Sequence, residues 1–406
     1  MSTIERLSGK SESSASKLYR GNILYSKDRT TLVSHEKSYI AVENGRVEGI
    51  YPTIPEKFRG VEVVDFGNRT IIPAFSDLHV HAPQYVQRGL GMDLLLADWL
   101  NQNTFPLESR YADLNFAKPI YDAFVEDMVR NGTLHATVFG TIHSDATEYL
   151  MQKMESRKMG GFVGKVNMDM DSPEYLTEST EGSLRSTEEF LERTSGLENV
   201  KPILTPRFAP TCSRELMKGL GEIAKRYGVG LQTHIVESLW EAAQAKKLYP
   251  ECSCDMEIYE KYGLMENGPV IVAHFIFPSD DDIEILKRYD GVAVHCPDAT
   301  VNVIAGIMQT GRLEDEGVRI AIGSDVAAGS SVAIYRQIAS AVRLSKLKAF
   351  YEPAENRTIS FENAFYHATK EAGSVFGKTG AFETGYAFDA LVIEDMSDPL
   401  VPLTPA

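Results

Sequence analysis

From Thr70 onward, short apolar runs alternate with helical stretches, and this alternation narrows the folds open to a chain of 406 residues. The apolar runs are 70–78, 132–142, 161–168, 201–208, 229–235, 269–275, 291–296 and 318–323, and helical periodicity marks stretches such as 118–131, 213–227 and 334–348. Short runs that are apolar throughout suit strands covered on both faces. Eight strand–helix units over roughly 250–300 residues predict an α/β chain with a (β/α)8 TIM-like barrel. The competing arrangement is an open doubly wound sheet, which is weaker because no Gly-rich phosphate loop follows the first run.

Outside that region the pattern differs. Residues 1–17 are polar, Ser-rich and mixed in charge, and read as a disordered lead-in. From about 17 to 64 short apolar strands alternate with turns. Tyr39-Ile40-Ala41-Val42 and Val47-Glu48-Gly49-Ile50 flank Asn44-Gly45, a strong hairpin signal. Residues 385–393 read as a turn leading into a strand that returns to this region. The expected organisation is a lead-in and small β domain over 1–69, the barrel over 70–380, and a return over 381–406. The terminal segments together form a small β-sandwich, and the stop at Ala406 leaves room for that domain to be incomplete.

A formal net charge of -16 argues against nucleic acid or an anionic membrane as partner, since both require a basic surface. No apolar run is long enough to span a bilayer, and the N-terminus lacks the apolar core of a signal peptide. Four cysteines in so long a chain form no disulfide framework. Cys252 and Cys254 have no second thiol pair nearby, so free thiols in a reducing cytoplasm are expected.

The chemistry gathers at strand ends. His79 and His81 close the first run, Arg207 the fourth, His234 the fifth, His274 the sixth, His295 the seventh, and Asp325 follows the eighth. In a barrel these ends converge on one mouth. Side chains two apart on a strand point the same way, so His79 and His81 project together. With His234 and Asp325 they supply three imidazoles and a carboxylate, a donor set suited to a catalytic zinc with an open position. Zinc lowers the pKa of a bound water from about 15.7 toward about 7, and Glu237, three residues after His234, can carry the proton onward. Arg207 cannot ligate a metal, so the site reads as mononuclear, and its fork suits a carbonyl or carboxylate on a substrate.

Each of these residues also has a structural reading. Asp325 could cap a helix, Glu237 could open one, Arg207 could sit in a surface ion pair, and His295 could belong to the core. Trp99 and Phe208 read either as core or as a platform for a flat substrate. Gln84, just past the ligand pair, has little packing value.

Several stretches carry a resemblance. They include Leu78-His79-Val80-His81-Ala82-Pro83-Gln84-Tyr85, Trp99-Leu100 with Thr104-Phe105-Pro106, and Thr205-Pro206-Arg207-Phe208. Others are Thr233-His234-Ile235-Val236-Glu237, Val272-Ala273-His274, His295-Cys296-Pro297 and Gly323-Ser324-Asp325-Val326-Ala327. The chain resembles the amidohydrolase superfamily, in particular its mononuclear aminohydrolase branch and, within it, the guanine deaminase family. The resemblance covers nearly the whole barrel. It implies a zinc enzyme, commonly a homodimer, that hydrolyses guanine to xanthine and ammonia in purine catabolism or salvage. It places His79, His81, His234 and Asp325 at the metal, Glu237 as proton shuttle and His274 near the water. It places Gln84, Arg207 and Phe208, with Trp99 nearby, around the purine. The chain departs from the family pattern at Phe275-Ile276-Phe277, at Asp298-Ala299-Thr300 and at Ala328.

The resulting expectation is one zinc per chain, with iron as the alternative ion, and a small purine as substrate. Two rivals stand beside it. One is the same machinery acting on a modified guanine, a pterin or a triazine, with residues 298–302 as the discriminating loop. The other is a non-catalytic assembly protein that has kept the barrel.

Overall fold

The computed structural model describes residues 4–8 and 16–394. The expected incomplete end at Ala406 lies outside the described residues. The chain divides into two compact units, one of Met1–Ser76, Met128–Leu134 and Ser360–Ala406, the other of Asp77–Asp127 and His135–Ile359.

The first unit is built on β1 (Ile4–Ser8), β2 (Lys17–Asp28), β3 (Thr31–Glu43), β4 (Arg46–Tyr51), β5 (Glu62–Pro73) and β16 (Asp389–Ile393). They form one six-stranded sheet in the order β1-β16-β5-β2-β3-β4, where the sequence suggested a sandwich. The predicted hairpin joins β3 to β4. Asn44 and Gly45 both have positive φ, 49° and 73°, as a type I′ turn requires. Tyr19, Ile23, Ile40, Val47, Phe382 and Phe388 belong to its core cluster, with the Tyr19 and Phe388 rings stacked at 4.6 Å. The returning strand pairs antiparallel with β5, Leu391 opposite Ile72. Part of the expected lead-in is strand instead: Ile4–Ser8 pairs antiparallel with Asp389–Ile393. An edge offered by β16 is enough to order such a segment, because backbone pairing does not depend on apolar patterning.

The second unit carries all or most of each strand of the alternating region: β6 (Phe75–His81), β7 (Thr133–Phe139), β8 (Gly160–Gly164), β9 (Val166–Asn167), β10 (Val200–Pro202), β11 (Thr205–Pro206), β12 (Leu231–Ile235), β13 (Val270–His274), β14 (Val292–His295) and β15 (Arg319–Ile322). They fall into the orders β10-β8-β7-β6, β11-β9 and β12-β13-β14-β15. The pairings β7–β8, β8–β10, β9–β11 and β12 through β15 are all parallel. A parallel bridge between Leu204 and Leu231 links the fourth run to the fifth. Asp325 N donates to His79 O (2.8 Å) and His81 N to Val326 O (3.1 Å), linking the end of β6 to the segment after β15.

Two expected runs are broken. The first splits at Ala74, so that 70–73 pairs within the six-stranded sheet and only Phe75–His81 joins the parallel strands. The third is interrupted at Lys165, whose buried ammonium bonds Glu178 Oε2 at 2.5 Å. Every residue of β6 and β7 is buried, as two-sided cover requires. Helices Leu114–Arg130, Arg214–Tyr227 and Ile334–Tyr351 match the predicted stretches. Among the described residues no helix is long and apolar enough to cross a membrane, and all four cysteines are free thiols.

Candidate active site

The alternation of β6 does bring His79 and His81 to one side, their ring centroids 4.9 Å apart. His234 is the penultimate residue of β12, and His274 ends β13. The four imidazoles and Asp325 are all buried. His79 Nε2 lies 3.2 Å from Asp325 Oδ1, and His81 Nε2 lies 3.5 Å from the same oxygen. His81 Nε2 and His234 Nε2 are 3.1 Å apart. Ligands about 2.0–2.1 Å from a tetrahedral metal stand roughly 3.3 Å from one another, so these atoms fit around one ion. His274 Nε2 is slightly farther out, 4.0 Å from Asp325 Oδ2. Two overlapping groups, His79-His81-His234 and His79-His274-Asp325, could each hold an ion through ligand atoms within 4.8 Å of one another.

The electrostatics suit a cation. Burial, and then the charge of Arg207, push the His79 pKa down to about 3. Burial holds His81, His234 and His274 well below the usual imidazole range as well. Neutral imidazole is the ligating form. His234 Nδ1 sits 2.6 Å from the Arg207 carbonyl oxygen, which leaves Nε2 as the lone-pair nitrogen facing the cluster. The buried His79 Nε2 has no hydrogen-bond partner, as a nitrogen meant for a metal would not.

The frame behind the ligands is also polar. Asp77 accepts from the backbone N–H of His79 (3.2 Å), from Ser324 N (3.0 Å) and from the Ser324 hydroxyl. Burial pushes its carboxyl up to about 7, against the pull of those bonds. At Gly323 a Cβ would meet the Cβ of His79 at 2.8 Å, so the close approach of this segment to β6 needs glycine. His274 (φ 74°), Phe275 (φ 47°) and Asp325 (φ 45°) adopt left-handed backbone, a strain that collects at functional sites.

Glu237 follows β12, and Ser238, not Glu237, caps the next helix. Its Oε2 is 3.6 Å from His274 Nε2. Burial, and then the charge of Asp325, push the Glu237 carboxyl up to about 8, with Arg207 opposing. A cavity of about 770 Å³ opens beside these groups. Its walls include His81, Gln84, Trp99, Arg207, Phe208, His234, Glu237, His274 and Asp325, so the residues chosen from the sequence, apart from His79 and His295, meet there. Trp99 serves both readings, since its buried indole also donates to Leu90 O at 2.9 Å. His295 is buried and does not line the cavity.

Three wall or frame residues escaped the sequence reading. Glu108, in helix Phe105–Ser109, forms a buried ion pair with Arg207, Oε2 to Nη1 at 2.6 Å, where a surface pair was the alternative. Glu241 accepts from Glu237 N at 2.7 Å, and burial, then Glu237, push its carboxyl up to about 8. Trp240 stands over half exposed at the cavity wall, its ring centroid 6.4 Å from that of Phe208. Glu108 lies two residues past Thr104-Phe105-Pro106, but nothing local in the sequence couples it to Arg207, and the other two residues carry no signal either. Residues 298–302 are not a loop but part of helix Pro297–Asn302, and Asp298 bonds Ser330, Gln337 and Ser340 rather than the cavity. Val303, Ile304 and Ala305 line the wall there instead.

Residues 70–405 match the amidohydrolase family. The guanine deaminase of Dictyostelium discoideum is 35% identical over 348 residues, 84% of this chain and 76% of that protein. The guanine deaminase of Escherichia coli is 30% identical over 89% of this chain and 79% of its own length. The crystal structure of guanine deaminase from C. acetobutylicum, with guanine bound in its active site, superposes with a TM-score of 0.90 at 39% identity. The superposition covers 93% of this chain and 90% of that one. The chain belongs to the amidohydrolase family, and the three similar proteins named above are guanine deaminases.

Proposed function

We propose that this chain is a hydrolase of C–N bonds in cyclic amidines that converts guanine and water to xanthine and ammonia. The observation that carries the reading is the placement of Glu237 against His274 and of Arg207 on the wall of the same cavity, beside the ligand atoms. His79, His81, His234 and Asp325 would hold one zinc. When bound, zinc lowers the pKa of a water from about 15.7 toward about 7.

Glu237 takes a proton from the water that attacks C2, the carbon bearing the exocyclic amine. It delivers that proton to the neighbouring ring nitrogen. His274 holds the attacking oxygen. Asp325 relays the second proton to the departing amine, the C2–N bond breaks, and C2 keeps the oxygen as a carbonyl. Arg207, a donor-only group, takes the O6 edge, and Gln84 another polar edge. Phe208 and Trp99 flank the ring.

The same reading closes the eight strands into a (β/α)8 barrel, supported by the backbone bonds between 79–81 and 325–326. Four free thiols fit a reducing cytoplasm, and the family resemblance adds a homodimer. Ammonia release measured over guanine, adenine, a pterin and a triazine tests the proposal. Guanine is expected to lead by a wide margin, and faster turnover of the pterin or triazine would overturn it.

A further inference from the structure

The strongest feature that the reaction above leaves unused is Glu108. It is 1% exposed, and both of its carboxylate oxygens are engaged. Arg207 Nη1 donates to Oε2 at 2.6 Å and Nη2 to Oε1 at 3.3 Å, while Gln84 Nε2 donates to Oε1 at 2.9 Å. Gln84 Oε1 accepts from Ala327 N at 3.3 Å, which fixes which way the amide faces. The Arg207 guanidinium also lies 5.2 Å from the Phe105 ring centroid. Arg207 and Gln84 both line the cavity, while Glu108 stands behind them.

Resting on the guanine reading, we propose that Glu108 is the positioning residue of the substrate-recognition end. It aims Arg207 and Gln84 together and sets the net charge they present. A guanidinium carries five N–H donors in a rigid fork. Two go to Glu108, and the others remain for a substrate. The same carboxylate fixes one amide N–H of Gln84 and leaves the second. Two donors on different elements, 123 positions apart in sequence from Gln84 to Arg207, are thereby registered by one group.

Charge is the second consequence. Arg207 and Glu108 sum to zero, so this end of the cavity offers hydrogen-bond donors without a net positive charge. That suits a neutral lactam such as guanine. Xanthine is the stronger acid of the two, because its second carbonyl flanks a ring N–H, and it loses a proton more readily. A buried unbalanced guanidinium would hold such an anion tightly. Glu108 therefore favours binding of the neutral substrate over retention of the anionic product.

The test uses the metal-loaded full chain, at a pH where xanthine is largely anionic and guanine largely neutral. Guanine kinetics, inhibition by xanthine and metal content are measured for the unaltered chain, Glu108→Gln and Glu108→Asp. For Glu108→Gln, KM for guanine is expected to rise about tenfold or more, with kcat within about threefold and metal content unchanged. Inhibition by xanthine is expected to become stronger, so the two ligands move in opposite directions. Glu108→Asp keeps the charge but shortens the reach, so KM should rise without stronger inhibition. It decides the matter even if Glu108→Gln does not fold. An unchanged KM in Glu108→Gln would overturn the proposal, as would KM and the xanthine inhibition constant rising together, the mark of a merely structural role. In Glu108→Asp, stronger xanthine inhibition or an unchanged KM would overturn it as well. Those results would leave the guanine reading intact, whereas no guanine turnover by the unaltered chain would overturn both.

Discussion

The ring of His234 is held from behind by the backbone of Arg207. His234 Nδ1 lies 2.6 Å from the Arg207 carbonyl oxygen, and His234 N donates to the same oxygen at 3.3 Å. A candidate metal ligand and a candidate substrate contact thus share one peptide unit. The backbone carbonyl survives any change of the Arg207 side chain, so the two roles can be separated by mutation.

Arg207→Met should therefore keep metal content near that of the parent while kcat/KM for guanine falls by about 10- to 100-fold, the scale of one charge-assisted hydrogen bond. Thermal stability should drop too, because Glu108 is left buried without its partner. Adenine should remain a poor substrate of the parent, since its amine donor opposes the donor-only fork. Elemental analysis beside steady-state kinetics checks this. Loss of the metal together with turnover would contradict it.

His79→Ala and His234→Ala should each remove the metal and the activity together, because each deletes a nitrogen from a group of three. The parent should hold one divalent ion per chain. Two tightly held ions found by elemental analysis would rule out the mononuclear reading.

Glu237→Gln keeps the shape of the side chain and removes its base. Metal content should be near normal and turnover lower by at least about 10²-fold, the low end for a lost general acid–base. Parent-like turnover would reduce Glu237 to a residue that merely precedes the Ser238 cap.

Asp255 offers a stability test away from the site. Burial, and then the charge of Asp282, push its carboxyl up to about 7. In an unfolded chain an aspartate titrates near about 3.9. Between those values the folded chain holds a proton that the unfolded chain has released. This contribution is fully present below the lower value and is lost as pH rises through the upper one. Asp255→Asn should match the parent near pH 4 and exceed it in stability above pH 7. Urea midpoints at the two pH values check this, and a variant less stable than the parent at the higher pH would refute it.

The strand-end histidines were legible because two local signals coincide at them, an apolar run and a polar residue at its end. The Asn44-Gly45 hairpin was legible for a similar reason, since its turn demands positive φ at adjacent positions. Glu108 was not legible. It meets Arg207 across 99 positions of sequence, from a helix of five residues too short to show a period. Ser324 reaches Asp77 across 247 positions, and nothing local pairs the two. The break at Ala74 was hidden because both halves of the run are apolar, so hydrophobicity could not say that they pair in different sheets. Residues 298–302 looked decisive because they differ from the family pattern. Their acid is occupied by Ser330, Gln337 and Ser340 instead.

The Asp77 bonds have a consequence for how the protein would gain and lose its ion. They tie His79 to Ser324, and so the segment of two ligands to the segment of a third, through protein groups alone. The ligand frame is then rigid in its own right, and loading becomes docking rather than folding. A chelator should be able to strip the chain without melting it, and returned ion should restore it without a refolding delay. Its melting temperature should climb with free ion concentration as mass action on one ready-made site dictates.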